Sequence, residues 1–151
     1  MPAKRDRPYP RFNFLVDLGT GNTAGPTAGF SECSPIGQVV DVVEYRNGNE
    51  KENNVRKLTG LTRVANVTFR RGIIGSADLY EWIDQVRNGD QTALRTVTVQ
   101  LLNEDHSVVV ETWKLLRARP ISHQSGPLDA RSSEVAIEEL TLAYERLELE
   151  V

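Results

Sequence analysis

The side chains able to do chemistry are few and scattered. Cys33, His106 and His123 are the only thiol and imidazoles in 151 residues. A Cys–His nucleophilic pair or a metal site needs its members at short, defined spacings, and none relates these three. Cys33 therefore reads as a small core hydrophobe and the histidines as solvent groups. The stretch Gly19-Thr20-Gly21-Asn22-Thr23-Ala24-Gly25 has the look of a phosphate cradle, but such a loop must open a helix, and here Pro26 and a strand follow. Glu138-Glu139 and the Glu148 and Glu150 pair offer twin carboxylates. General acid–base work needs surroundings that part their pKa values, which adjacent surface glutamates lack, so they read as a solvated face. Arg70-Arg71 with Arg63 lacks the interleaved aromatics of a single-strand binder and is expected to pair with acidic residues of a neighbour. Asn66-Val67-Thr68 fits a glycosylation acceptor but reads as strand. No catalytic residue, cofactor or metal is predicted.

Elements that hold no active site must serve another purpose, and composition narrows it. The length suits one domain, residues 1–151, able to bury roughly 70% of its unfolded surface. An apolar content of 39% supports a core, and no apolar stretch approaches the ~20 residues that cross a bilayer. The basic start, Met1 to Pro8, runs into alternating Arg11-Phe12-Asn13-Phe14 rather than an apolar signal segment, so a soluble chain assembled in the cytoplasm without membrane anchoring is expected. A lone cysteine precludes an internal disulfide. A net charge of -3 gives no general pull towards nucleic acid or anionic lipid.

Period-two alternation marks strands at 11–18 (Phe12, Phe14, Val16, Leu18), 64–71 (Ala65, Val67, Phe69), 95–103 (Val97, Val99, Leu101) and 107–118 (Val109, Trp113, Leu115). Residues 28–33 and 36–46 are rich in β-formers, with Val39, Val40, Val42, Val43 and Tyr45 crowded into the second run. Asn103 to His106 is a hairpin loop. Leu79, Ile83 and Val86 with Trp82 make the stripe of an amphipathic helix of about three turns, with Asp78 and Glu81 as its cap and Asn88-Gly89 as its stop. This helix is expected to support the fold: Leu79, Trp82, Ile83 and Val86 pin it to a sheet. Residues 134–150 fit two periods, a helical stripe (Ala136, Leu140, Ala143, Tyr144, Leu147) and a strand face (Ala136, Glu138, Leu140, Leu142, Tyr144), and periodicity alone favours helix.

Between the second run and residue 64 lies a long polar stretch, Glu44 to Gly60. Loops of this length inside a compact domain are functional or disordered.

Seven segments in order carry a resemblance: Phe12-Asn13-Phe14-Leu15-Val16, Gly29-Phe30-Ser31-Glu32-Cys33-Ser34, Glu44-Tyr45-Arg46-Asn47-Gly48, Arg56-Lys57-Leu58-Thr59-Gly60, Asn66-Val67-Thr68-Phe69-Arg70-Arg71-Gly72, Leu79-Tyr80-Glu81-Trp82 and Glu134-Val135-Ala136-Ile137-Glu138-Glu139-Leu140. Over nearly the whole chain this resembles the inner tube proteins of contractile phage tails and extracellular contractile injection systems. Two loops depart from the pattern: Thr59 stands where proline is common, and Pro35-Ile36-Gly37 replaces a usual Ser-Gly-Leu.

The resemblance implies a mainly β fold, two packed antiparallel sheets in a barrel-like sandwich with one flanking helix, and hexameric rings stacked into a hollow tube. It makes residues 134–150 strand, against their periodicity. The implied partners are the chain itself, a sheath protein, baseplate hub and tube terminator proteins, and cargo or DNA in the lumen; the implied role is structural, with no enzyme activity. Residues 47–59 then become an inter-subunit arm, contributed by Asn47, Gly48, Asn49, Glu50, Lys51, Glu52, Asn53, Asn54, Val55, Arg56 and Lys57, whose mixed charges suit polar pairing across a contact. A tube-initiating or adaptor ring at the baseplate is the alternative, and a monomeric small-ligand-binding β-barrel the rival of another class.

Overall fold

In the computed structural model, which describes residues 4–21, 25 and 28–151, the chain runs β1 (Phe14–Asp17), β2 (Glu32–Cys33), β3 (Gln38–Tyr45), β4 (Arg56–Val64), β5 (Val67–Gly72), α1 (Asp78–Arg87), β6 (Arg95–Leu102), β7 (Val109–Ser125), β8 (Ile137–Ala143) and β9 (Arg146–Glu150). Every pairing is antiparallel. One layer is ordered β1-β6-β7-β9 and the other β2-β5-β8-β7. The expected mainly β architecture, two antiparallel sheets and one helix, is what forms.

Strand β7 belongs to both layers. Val109 to Ala118 pairs with β6 and, on the other side, with β9; Arg119 to Ser125 pairs with β8. Between the two stretches β7 carries an extra residue opposite the Arg95–Val97 step of β6, and Arg117 sits at φ 52. A bulge of this kind bends and twists its strand, and so turns β7 from one layer into the next. The sequence reading stopped this strand at 118, just before Pro120. Proline is confined to strands with a free edge, and this half of β7 pairs with β8 alone among the described residues.

Alternate residues fill the space between layers: Val16, Val67, Phe69, Val97, Val99, Leu115, Leu140 and Leu142 are buried. Side chains of this size contribute about 1.5–3 kcal/mol each when fully buried. Cross-strand partners Val67 with Leu142 and Phe69 with Leu140 form consecutive rungs on β5 and β8, and the next rung in that row is Arg71 with Glu138.

Helix α1 closes one side of this core through Leu79 and Trp82, with Ile83 and Val86 half-buried. The Trp82 indole N–H donates to the Ala93 carbonyl at 2.7 Å, and the Arg95 guanidinium lies 4.5 Å over its ring. The cap differs from expectation: Ala77 holds the N-cap position without a side-chain bond, and Asp78 is the first helical residue. Asp78 instead reaches Arg71. Asn88 ends the helix with Gly89 at φ 81 behind it.

Strands β8 and β9 form in the last segment, as the resemblance implies and against the helical periodicity, because Glu138, Leu140, Leu142 and Tyr144 share one buried face. One further reading is corrected. The polar stretch after Tyr45 is not all loop, since Arg56 onward pairs with β3 through Tyr45–Arg56, Glu44–Lys57, Val43–Leu58 and Val42–Thr59.

Candidate assembly surface

Among the described residues, the chemistry-bearing side chains that meet form ion pairs tying strands and helix together. Fully buried Arg71 donates to Glu138 at 2.6 Å and to Asp78 at 2.5 Å, linking β5 to β8 and to the start of α1. Burial works against the charge on Arg71, but its two carboxylate partners outweigh that and raise its pKa. Burial likewise pushes Asp78 up, yet hydrogen bonds from Arg71 and Ser76 hold it below the usual carboxylate range. His123 meets the second oxygen of Glu138 at 3.2 Å. Glu138 and His123 are therefore not the solvated groups the sequence suggested. Arg70 pairs within the chain, 2.9 Å from Glu139. In the described part of the glycine loop the amides of Gly19, Thr20 and Gly21 all donate to one Asp17 carboxylate oxygen at 2.9, 3.1 and 3.0 Å. Asn22 and Pro26, on which the phosphate-cradle reading leaned, lie outside the described residues. Cys33 is half-buried, its thiol pushed up to about 11 by burial, which leaves little thiolate at neutral pH. Among the described residues no cluster of His, Cys, Asp and Glu could hold a metal ion.

The unusual surface is the β3–β4 ribbon. Among the described residues its strands pair with each other and with no other strand. Register places Val39, Asp41, Val43 and Tyr45 on one face with Leu58 and Arg63, and Val40, Val42 and Glu44 on the other with Lys57, Thr59 and Thr62. Val39, Val40, Val42, Val43, Tyr45, Leu58 and Leu61 are all exposed. A two-stranded ribbon alone is marginal in water, and a run of apolar residues without alternation belongs to strands buried on both faces. Here both faces are bare. The valine crowd at 39–43 carries that mismatch in the sequence itself.

The ribbon is built to keep its shape. Gly60 lies opposite Asp41 at a bulge, where any Cβ would stand 3.0 Å from the Asp41 carbonyl oxygen, so a side chain there would push the strands apart. Arg63 donates to the Asp41 carboxylate at 2.7 Å across the same bulge. At the tip, Arg46 donates to the Glu50 carbonyl at 2.8 Å and the Glu52 carbonyl at 3.0 Å, and Arg56 pairs with Glu50 at 2.7 Å. Of the arm residues read from sequence, Asn47 to Val55 form this tip loop, while Arg56 and Lys57 belong to β4.

Unpaired strand margins accompany the bare ribbon: β1, β2, β9 and the 119–125 half of β7 each have a partner on one side only among the described residues. Free margins beside an exposed apolar ribbon are aggregation hazards unless a defined neighbour covers them. The family model for the T4-like virus tail tube protein gp19 matches residues 10–148.

The chain belongs to this tail tube family.

The role of a tail tube protein is structural, as a subunit of an inner tube. Solved structures agree in fold. The chain is similar to one in the sheath/tube terminator of the extracellular contractile injection system PVC in its extended state, with 28% identity, coverage of 97% of this chain and 99% of that one, and a TM-score of 0.84. It is also similar to one in the PVC sheath-tube complex, at 28% identity, 96% and 93% coverage and a TM-score of 0.83. A chain of the anti-feeding prophage baseplate, 6-fold symmetrised, gives 28% identity, 97% coverage of both chains and a TM-score of 0.81. Among curated proteins nothing matches. Among the described residues of this tail tube protein, no helix is long and apolar enough to cross a membrane.

Proposed function

We propose that this single-domain tail tube protein closes into hexameric rings that stack into a hollow conduit inside a contractile sheath, with the β3–β4 ribbon as its inter-subunit arm. The carrying observation is the ribbon itself, apolar on both faces with neither face covered. The 6-fold symmetry of the baseplate structure that holds a relative supports the ring number. The sheath-tube, baseplate and terminator settings of the relatives support a sheath, a baseplate hub and a terminator as partners. Within that assembly residues 47–59 reach a neighbouring protomer or ring, and α1 with Leu79, Trp82, Ile83 and Val86 stiffens the wall. The protomer is assembled in the cytoplasm, becomes part of a phage tail or tail-like particle, and has no catalytic task. Cargo or DNA passes through the lumen once the sheath shortens.

Negative-stain microscopy with sizing of the purified chain tests this reading. Rings or tubes are expected; a persistent monomer of 16.9 kDa at all concentrations overturns it. Assembly that halts at one ring would instead assign the chain as a baseplate adaptor. Shortening the tip by deleting residues 48–55 should leave a folded protomer that no longer stacks, and normal tubes from that variant would remove the arm's role. A ligand-binding barrel has less in its favour, because the space between the layers is filled by Val67, Phe69, Leu115, Leu140 and Leu142.

A further inference from the structure

Buried Arg71 carries two carboxylates, but Arg95 carries none. Among the described residues its half-buried guanidinium makes no ion pair and no side-chain hydrogen bond. Burial pushes its pKa down, and the nearby Asp78 charge offsets this only in part. A desolvated charge without a partner costs free energy, yet this one is held in place. Its stem runs beneath Gly19, whose φ of +88 brings the backbone so close that a Cβ there would stand 3.0 Å from the Arg95 Cβ. Its head lies 4.5 Å over the Trp82 ring, itself anchored on the Ala93 carbonyl. The ring attracts the cation but offers no oxygen to its five N–H donors. Leu18, Thr20, Asp78, Leu79, Trp82 and Arg95 line a pocket of about 160 Å³, below the roughly 300–1,000 Å³ of drug-sized sites and suited to something smaller. Asp78 is the lining charge that opposes an anion, but both its oxygens are engaged by Arg71, at 2.5 and 3.1 Å.

We propose that this pocket binds a carboxylate, seated on the Arg95 guanidinium with its carbon stem against Leu18, Leu79 and the Trp82 ring. A planar carboxylate matches the guanidinium fork with two parallel hydrogen bonds, which a halide cannot do. The apolar walls suit a short hydrocarbon stem better than the all-oxygen shell of a phosphate. Because Arg95 is already fixed by Gly19 and Trp82, little side-chain freedom remains to be lost when the group arrives. Two sources carry this chemistry: a small organic acid in solution, and the acidic side chain of an adjoining chain in an assembled particle.

Trp82 reports on the pocket directly. The chain has two tryptophans, so in a Trp113→Phe background the emission is that of Trp82 alone. The unassembled full-length chain is titrated with sodium acetate against sodium chloride at constant ionic strength. Acetate, and not chloride, should change the emission along a saturating curve with half-effect on the order of 1–10 mM, the range open to so small a ligand. Arg95→Gln should abolish the response, and Arg95→Lys, which keeps the charge and loses the fork, should weaken it roughly tenfold. Asp78→Asn removes the opposing charge and should move the half-effect to lower acetate. No saturable response up to about 100 mM acetate, an equal response in Arg95→Gln, or a shift to higher acetate in Asp78→Asn overturns the site. The same titration of assembled particles separates the sources. A retained response assigns the pocket to a free acid, and its loss on assembly assigns it to an acidic side chain of the adjoining chain; both uphold the site.

Discussion

The valines of the ribbon allow a quantitative test of where its burial energy resides. Val39, Val40, Val42 and Val43 retain 58%, 47%, 58% and 52% of their exposure in the protomer. Full burial of a valine contributes about 1.5–3 kcal/mol, so roughly 1 kcal/mol per residue is still to be gained when a neighbour covers the ribbon. Replacing all four by threonine preserves shape and strand preference while exchanging a methyl for a hydroxyl. The loss should be about 4 kcal/mol per contact, close to a thousandfold in association constant. The protomer should barely notice, since exposed substitutions fall within about 0.5 kcal/mol each. Light scattering against concentration, with urea unfolding of the unassembled chain, reads both quantities. Assembly of the quadruple variant at the wild-type concentration would refute the claim that these faces are interfacial. A collapse of its urea midpoint would show that the valines already support the protomer.

Other consequences concern the framework. Trp82→Ala should destabilise the protomer by about 3–5 kcal/mol, whereas Trp82→Phe, which mainly leaves the Ala93 carbonyl unpaired, should cost about 1–2 kcal/mol by urea unfolding. Arg71→Met strands the Glu138 charge in the interior and should cost about 3–5 kcal/mol, while Arg71→Met with Glu138→Leu should recover much of it. Because the Asp78 carboxylate is depressed in the folded state, its stabilising contribution is complete above its unfolded pKa of about 3.9 and disappears as pH falls through the lower folded value. Asp78→Asn should therefore flatten the acid limb of stability between about pH 5 and pH 2, measured by urea midpoints at each pH.

Much of this architecture could be read from residue order where one face of an element meets the core. Strands β1, β5 and β6 alternate cleanly, and α1 shows its stripe, because each has a buried side and a wet side. Legibility failed where that contrast is missing. Strand β4 has both faces in water in the protomer, so Arg56-Lys57-Leu58-Thr59 carries no alternation and resembled a loop. In β8 the buried face includes Glu138, whose charge is satisfied by Arg71 from a distant strand; a partner 67 positions away leaves no local trace, and the broken pattern favoured helix. The turn of β7 from layer to layer was hidden for a related reason, as a bulge at Arg117 shifts the alternation by one residue midway. The ribbon was only half legible: the β-formers Val39, Val40, Val42, Val43 and Tyr45 mark a strand, but no residue among them signals that both of its faces stay exposed in the protomer.

Strand β7 gives the wall a particular kind of stiffness. Where two sheets are joined only by side-chain contact, sideways load makes them slide, as pages of a book do. Here a continuous backbone passes from one sheet to the other, so slippage between the leaves would have to break its ladder bonds or unwind the bend at Arg117. A cylinder whose bricks resist such shear can be pushed from behind without buckling at each joint.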